Sequence, residues 1–206
     1  MDLELSEDEA ALQEGLRSFL DGRFDMATVR AQADGLDRGR WTELAETGVF
    51  GLRLPESEGG VGLGMTEAVL AFEELGRSLV PGPVLASHLA AGLVDGAADG
   101  TAAVGLVERP ASVLLIEHLD ALDALLAVDD EGIWAVDRDD LVVEPVARPL
   151  DVLTPLHRVA ELPQGERLAG PEAAARWRQE GAVLTAAALL GMAARTTELA
   201  VAYAGQ

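Results

Sequence analysis

Apolar positions over the first hundred residues recur at the spacing of amphipathic helices. Ser6 and Glu9 form a capping box in front of the first helix, and Asp21-Gly22 ends it. The apolar stripe of this helix consists of Leu12, Leu16, Phe19 and Leu20. A second helix is predicted around Met26–Ala33.

Three more helices are predicted before residue 100. Asp37 is the expected N-cap of one that ends at Gly48, and Thr66 is the expected N-cap of the next. The first carries Trp41, Leu44 and Ala45, and the second turns Val69, Phe72, Leu75 and Leu79 inward. Pro81-Gly82-Pro83 breaks the pattern, and a further helix runs to about Gly96. Its apolar positions are Leu85, Leu89 and Leu93.

The apolar pattern then shortens into brief runs separated by Pro, Gly and Asp, which is typical of antiparallel strands. The predicted strands are Ala102–Val107, Val113–Glu117, Ala124–Val128, Gly132–Asp137, Leu141–Val146 and Arg158–Leu162. The acidic stretch Asp129–Gly132 is expected to form a hairpin turn. Helices, then strands, then a helix give an α+β order.

The last stretch, Pro171–Gln206, is predicted to be one long helix with Pro171 at its first position. Its segment Ala182–Ala194 has no charge and is apolar around the whole axis, so burial on all sides is expected. No later helix follows to cover it, which suggests a lost C-terminal part or a partner chain. The segment is too short to span a bilayer, which takes about 20 residues.

These elements predict three parts. Residues 1–100 form a helical bundle, residues 101–169 a small antiparallel β-barrel or sheet domain, and residues 170–206 the first helix of a truncated helical domain.

Composition excludes several kinds of partner. A net charge of −21 disfavours nucleic acid and anionic membrane surfaces. The chain has no cysteine, which rules out disulfides and thiolate metal sites. The acidic N-terminus does not resemble a signal peptide, so a cytoplasmic protein is expected.

The glycine-rich run Leu54–Gly64 permits turns and close backbone approach. Composition alone favours a surface turn. Met65 stands where a third glycine would complete a nucleotide-binding fingerprint, and no strand precedes the run.

Clustered ionisable residues favour structural roles over catalytic ones. Glu117, His118, Asp120 and Asp123 lie close in sequence but lack the spacing of a metal site, so a solvated turn is the expected reading. His88 and His157 are isolated, and each is expected to be a surface or hydrogen-bonded histidine. Either Glu73 or Glu74 could pair with Arg77 at helical spacing.

The run Leu54–Gly64, with Glu73–Ser78 after it, resembles the N-terminal domain of the acyl-CoA dehydrogenases. The resemblance continues through the β-domain, where Leu150-Asp151 and Val159 match, into the last helix at Ala200–Ala204. It implies a helical domain, a β-barrel domain and a four-helix domain, assembled as dimers or tetramers. It also implies a reaction in which a glutamate removes the α-proton of an acyl-CoA while FAD accepts hydride from the β-carbon.

The stretch Leu106–Ser112 corresponds to the family's Leu-Thr-Glu-Pro-like segment against the flavin, which makes Leu106, Val107 and Ser112 the expected cofactor contacts. Val107 replaces the threonine, so a hydroxyl that could bond the flavin edge is absent. Glu117 stands at the family's Ser/Thr position, where its charge would repel a reduced, anionic flavin. The chain ends before the family's catalytic glutamate, so no catalytic residue is predicted.

We therefore expect a degenerate subunit of an FAD-dependent acyl-CoA dehydrogenase that acts on a thioester only with a partner chain, in a homo- or hetero-oligomer. A non-enzymatic interaction protein with the same fold is the alternative from another class. A fragment of an ordinary homomeric dehydrogenase is the third possibility.

Overall fold

The protein is described by a computed structural model that covers residues 4–31, 35–109 and 113–205. Among these residues five helices come first: α1 Glu7–Arg23, α2 Met26–Arg30, α3 Arg38–Ala45, α4 Met65–Arg77 and α5 Val84–Ala90. A short 3₁₀ turn, Glu56–Glu58, lies within the glycine-rich run.

Two predicted N-caps are confirmed. The Ser6 hydroxyl accepts a hydrogen bond from the Glu9 amide at 3.2 Å, and the Glu9 carboxylate accepts one from the Ser6 amide at 2.7 Å. The Asp37 carboxylate accepts a hydrogen bond from the Arg40 amide at 3.1 Å, which starts α3. Helix α2 is shorter than predicted, and Ala33 lies outside the described residues.

Two predictions about α4 are wrong. The N-cap is Gly64 and not Thr66, because the Glu67 carboxylate accepts a hydrogen bond from the Gly64 amide at 2.9 Å and starts the helix earlier. Leu79 does not face the core. The helix ends at Arg77, and Leu79 takes a left-handed conformation with φ of 51° that leaves it 37% exposed.

In the described part of the chain, seven strands follow in two sheets. They are β1 Val104–Glu108, β2 Leu114–Glu117, β3 Ala124–Asp129, β4 Gly132–Val136, β5 Val143–Pro145, β6 Leu156–Val159 and β7 Glu166–Ala169. The four-stranded sheet has the order β1-β3-β4-β7, and the three-stranded sheet has the order β2-β6-β5. The predicted strand Arg158–Leu162 begins two residues later than β6 does, and β7 was not predicted.

One pairing differs from the antiparallel expectation, because β1 runs parallel to β3. The chain between them includes β2 and the 3₁₀ turn Leu119–Ala121, which is long enough for the crossover that parallel strands need. The remaining pairs are antiparallel, with the predicted hairpin between β3 and β4. Within the described ranges the two sheets do not close into a barrel.

The four-stranded sheet lies between two hydrophobic cores. Alternate residues of β3 point to opposite faces. Leu126 and Val128 pack with the helices, while Leu125 and Ala127 pack with Ile116 and other residues between the two sheets. The helices, the central sheet and the small sheet therefore form three layers. The predicted α+β order is confirmed, and the proposed domain boundaries stay a prediction.

The last helix, α6 Pro171–Ala204, starts with proline at its first position as predicted. It crosses α4 at very close range, because an added Cβ at Gly76 would lie 2.0 Å from the Ala188 carbonyl oxygen. Leu184 is fully buried in this contact, and Ala187 is buried beside it.

Within this chain α6 is covered on one side only, so its burial on all sides needs walls that this chain does not supply and stays a prediction. Only the stripe against its neighbours is covered, because α4 reaches one side of the helix. The exposed apolar side chains on α6 are Val183, Leu189, Leu190, Met192, Leu199, Val201 and Tyr203. By length and composition alone α6 could also cross a membrane. This is weak support for a membrane span, because helices in protein cores meet the same criterion.

A chain of ion pairs joins α1, α4 and α6. The buried Glu74 carboxylate accepts two hydrogen bonds from Arg17, at 2.6 and 2.9 Å. The predicted pair with Arg77 is present but longer, at 3.9 Å, and Arg77 contacts Glu198 of α6 at 2.5 Å. Sequence spacing located the Arg77 pair, whereas the stronger bond to Arg17 joins residues far apart in the chain.

Candidate functional site

A cavity of about 250 Å³ opens between the start of α5 and strands β1 and β2. Its lining is mostly aliphatic and consists of Gly82, Pro83, Val84, Leu85, Ala86, Gly105, Leu106, Leu115 and Glu117. Pockets for small molecules usually measure about 300–1,000 Å³. This cavity therefore suits one part of a larger ligand, such as a planar ring or the end of an acyl chain.

The Pro81-Gly82-Pro83 break shapes one wall of the cavity. Gly82 has φ of 108°, and an added Cβ would lie 2.8 Å from Leu36 and 3.0 Å from Trp41. Glycine therefore lets the chain pass against the helical core before α5 begins. The Ser87 hydroxyl then accepts a hydrogen bond from the Val104 amide at 3.0 Å, which ties α5 to β1.

The residues of the segment predicted to contact a cofactor lie in different environments. Leu106 lines the cavity, whereas Val107 is 6% exposed and packs between the two sheets. Glu108 contacts Arg178 of α6 at 2.5 Å, so this end of β1 is tied to the last helix. Ser112 lies outside the described residues. The roles of all three predicted contacts stay predictions.

Among the described residues that line the cavity, Glu117 is the one titratable residue. It shares a face of β2 with Leu115, because alternate strand residues point the same way. The residue is exposed at the cavity rim, yet partial burial of its carboxyl group raises its pKa, and the nearby Asp151 raises it further. The carboxyl group at this wall is therefore harder to ionise than a free glutamate.

His118, next along the chain, has an unusual backbone. Its φ of 55° is rare for a residue other than glycine, and its amide donates to the Pro155 carbonyl at 2.8 Å. Burial lowers the pKa of its imidazole, although Asp151 opposes this shift. The backbone strain lies directly beside the cavity, as it often does at functional sites.

The other acidic residues near Glu117 have partners of their own. Asp120 lies 3.4 Å from His157, and Asp123 bonds to Arg38 at 2.7 Å. In the part of the chain that the structure describes, no three His, Asp or Glu side chains are arranged to hold a metal ion.

A second cavity of about 270 Å³ lies where α5 meets the first half of α6. Arg53 and Glu180 form a bidentate ion pair in the wall of this cavity, with N–O distances of 2.8 and 3.0 Å. His88 also lines it, and its Nδ1 donates to the Val49 carbonyl at 2.9 Å. Burial lowers the pKa of His88, so this histidine is neutral and hydrogen-bonded, as expected from the sequence.

Comparison with known proteins identifies the fold and its relatives. The family profile for the acyl-CoA dehydrogenase N-terminal domain matches residues 6–103. The acyl-CoA dehydrogenase IpdE2 of Mycobacterium tuberculosis is 30% identical over 96% of this chain, and IpdE2 of Mycolicibacterium smegmatis is 29% identical over 97%. Residues 6–103 belong to the acyl-CoA dehydrogenase N-terminal domain family, and the chain as a whole is similar to acyl-CoA dehydrogenases. It spans 64% and 65% of the length of these two relatives.

Solved structures show the same acyl-CoA dehydrogenase fold. The Tcur3481–Tcur3483 steroid ACAD variant superposes on 96% of this chain with a TM-score of 0.76 and 21% identity. A glutaryl-CoA dehydrogenase from Mycobacterium smegmatis in complex with FADH2 superposes on 97% of it with a TM-score of 0.73 and 18% identity. The chain covers 66% of each of these structures.

Sequence reasoning missed most of the cavity wall. From the sequence, Pro83 was recognised only as part of a helix break and Leu85 only as an apolar helix position. Leu115 was recognised only as part of a predicted strand. The proline-glycine-proline break was the available signal, because it turns the chain toward β1. The second cavity, between α5 and α6, could not be found from the sequence, since its wall residues Arg53 and Glu180 are 127 positions apart.

Proposed function

We propose that this chain is a subunit of an FAD-dependent acyl-CoA dehydrogenase, and that it takes part in α,β-dehydrogenation of an acyl-CoA thioester together with a partner chain. Family membership supports the reaction class. The pairing is supported by the two-component name of the Tcur3481–Tcur3483 steroid ACAD, and the cofactor by the FADH2 complex of the glutaryl-CoA dehydrogenase. We also infer a cytoplasmic location away from the membrane, from the acidic, cysteine-free sequence.

The cavity between α5 and β1 fits the ring part of a flavin better than its phosphates. Pro83, Leu106 and Leu115 offer apolar walls for a flat ring, and the bound cofactor would supply hydride acceptance. None of the described lining residues is basic, and the chain carries a net charge of −21. A pyrophosphate needs cationic or backbone donors, so this cavity does not supply its anchor.

The proposal of a partner chain rests on the exposed apolar face of α6. Leu189 and Leu190 are 58% and 59% exposed, and Val201 is 68% exposed further along the helix. Large apolar surfaces of this kind mark association sites, and obligate interfaces resemble a protein core cut in half. The opposite side of α6 contacts α4, and Arg178 ties the first part of α6 to β1.

Purification of the complex from the source organism tests the proposal. We expect the chain to copurify with a second acyl-CoA dehydrogenase chain, with bound FAD and with acyl-CoA oxidation. Leu189→Asp and Leu190→Asp should each release the partner and the activity. Leu150→Asp is the matched control, because Leu150 is fully exposed and lies outside α6. Retention of the partner by both α6 variants would contradict the proposed interface.

The visible absorption spectrum of the isolated chain tests whether this chain binds FAD without a partner. We expect little flavin in the chain purified alone. A stoichiometric flavin band from the chain by itself would contradict the idea of an incomplete site, while leaving the reaction class in place.

A further inference from the structure

The second cavity, between α5 and the first half of α6, is lined by a histidine with an unused acceptor atom. His88 is 5% exposed, and its Nδ1 donates to the Val49 carbonyl at 2.9 Å, since a carbonyl oxygen can only accept. With the proton on Nδ1, the Nε2 atom of the neutral ring carries a lone pair and is an acceptor. Among the described residues no group donates to this buried Nε2 atom. A buried acceptor without a donor is unfavourable, so the O–H or N–H group of a ligand would be stabilised here.

The imidazole of His88 is held in place by its neighbours. Phe72 meets the ring edge-on, with 5.2 Å between the two ring centroids. The charges of Arg53 and Glu180 both act on the imidazole, so the ring lies close to the ion pair in the cavity wall. Burial lowers the pKa of the imidazole, which keeps the ring neutral at about pH 7.5. Nε2 therefore remains an acceptor at neutral pH.

A guanidinium group supplies the same cavity with unused donors. Arg176 lies on the exposed side of α6, lines the cavity, and forms no ion pair among the described residues. The Glu180 carboxylate is neutralised by its two hydrogen bonds from Arg53. Two guanidinium groups and one carboxylate give the wall one net positive charge, in a chain whose net charge is −21. A guanidinium binds a carboxylate through paired, charge-assisted hydrogen bonds, so the wall favours an anionic ligand of this kind.

The rest of the lining is mainly apolar and limits the size of a ligand. Phe50, Leu89 and Trp177 contribute to it. The volume of about 270 Å³ lies just below the usual range of small-molecule pockets, which is about 300–1,000 Å³. A compact molecule with one ring or a short hydrocarbon part fits these dimensions.

We propose that the cavity between α5 and α6 is a binding site for a small hydroxycarboxylate. The carboxylate bonds to Arg176, and the hydroxyl donates to Nε2 of His88. The hydrocarbon part packs against Leu89 and Trp177. The ligand joins α5 to α6, and its binding does not depend on the proposed dehydrogenase function.

Isothermal titration calorimetry of the full chain at about pH 7.5 tests the site with three probes that differ by one group. The probes are mandelate, phenylacetate, which lacks the hydroxyl, and mandelamide, which lacks the negative charge. Mandelate should bind saturably to a single site. Each of the other two should bind about tenfold more weakly, because it lacks one of the two polar contacts. Equal affinity for all three probes, or no saturable binding of either enantiomer of mandelate, would overturn the proposal.

Two variants test the two side chains separately. His88→Phe removes the acceptor and keeps a flat ring, so this variant should bind mandelate and phenylacetate equally well. Arg176→Gln should weaken the binding of both acids about tenfold and keep the preference for mandelate. Arg148→Gln is the matched control, because Arg148 is exposed and does not line the cavity, and it should leave every affinity unchanged.

An unchanged preference for mandelate in His88→Phe would overturn the proposal, and so would an unchanged affinity in Arg176→Gln. An effect of Arg148→Gln as large as that of Arg176→Gln would also contradict it, since a general loss of positive charge would then explain both. If His88→Phe does not fold, the three probes and the exposed Arg176→Gln variant decide the outcome.

Discussion

Replacing Gly191 with alanine should force α4 and α6 apart. An added Cβ at Gly191 would lie 1.9 Å from the Glu73 carbonyl oxygen and 2.8 Å from the Arg77 amide nitrogen. Both are backbone atoms, so no side chain can rotate away to make room. The helices can accept the methyl group only by separating along the contact that buries Leu184.

The expected loss of stability is the difference between two effects. Overpacking costs about 1–3 kcal/mol, and the rigid backbone contact places Gly191 at the upper end. Alanine gains about 1 kcal/mol over glycine in a helix interior. The net loss is about 2 kcal/mol, which lowers the Tm of a protein of this size by about 4–8 °C.

Gly181→Ala in the same helix is the control. Its added Cβ would meet only Leu89, at an ordinary distance of 3.6 Å, so the gain in helix propensity should raise the Tm slightly. Thermal unfolding followed by circular dichroism measures both variants. Equal shifts of the same sign for Gly191→Ala and Gly181→Ala would refute the described crossing of α4 and α6.

Three further changes test the interior. Arg17→Ala should lower the free energy of unfolding by about 3 kcal/mol in urea titrations, because it leaves the buried Glu74 carboxylate without the two hydrogen bonds from the guanidinium; an unchanged midpoint would contradict this. Ser87→Ala should cost about 1–3 kcal/mol in the same assay by leaving the Val104 amide unsatisfied, and a neutral result would argue against the tie between α5 and β1. Burial lowers the pKa of His88 below 6.5, so as the pH falls below that value the unfolded chain binds a proton that the folded chain does not, and stability drops. When the free energy of unfolding is measured at a series of pH values, His88→Gln should show a shallower drop than the unmodified chain. An identical slope would count against a neutral, buried imidazole.

Features set by local chemistry could be predicted from the sequence. The capping box at Ser6, the N-cap at Asp37 and the first-position Pro171 each depend on residues within one helical turn. The hairpin between β3 and β4 likewise follows from its own acidic turn, where the Asp129 carboxylate accepts hydrogen bonds from the amides of Glu131 and Gly132.

Features set by long-range contacts could not be predicted. The parallel pairing of β1 with β3 depends on how β2 leaves the first sheet for the second. The Glu74–Arg17 bond joins residues 57 positions apart. The cavity brings Pro83 and Leu85 against Glu117, and only the folded chain shows that these residues share a surface.

The composition of the native assembly tests the central claim most directly. Native mass spectrometry of the complex purified from the source organism should show this chain bound to a different acyl-CoA dehydrogenase chain, with FAD retained by the pair. Detection of this chain only with copies of itself, carrying one FAD per chain and oxidising an acyl-CoA, would contradict the proposal that its site is completed by a partner.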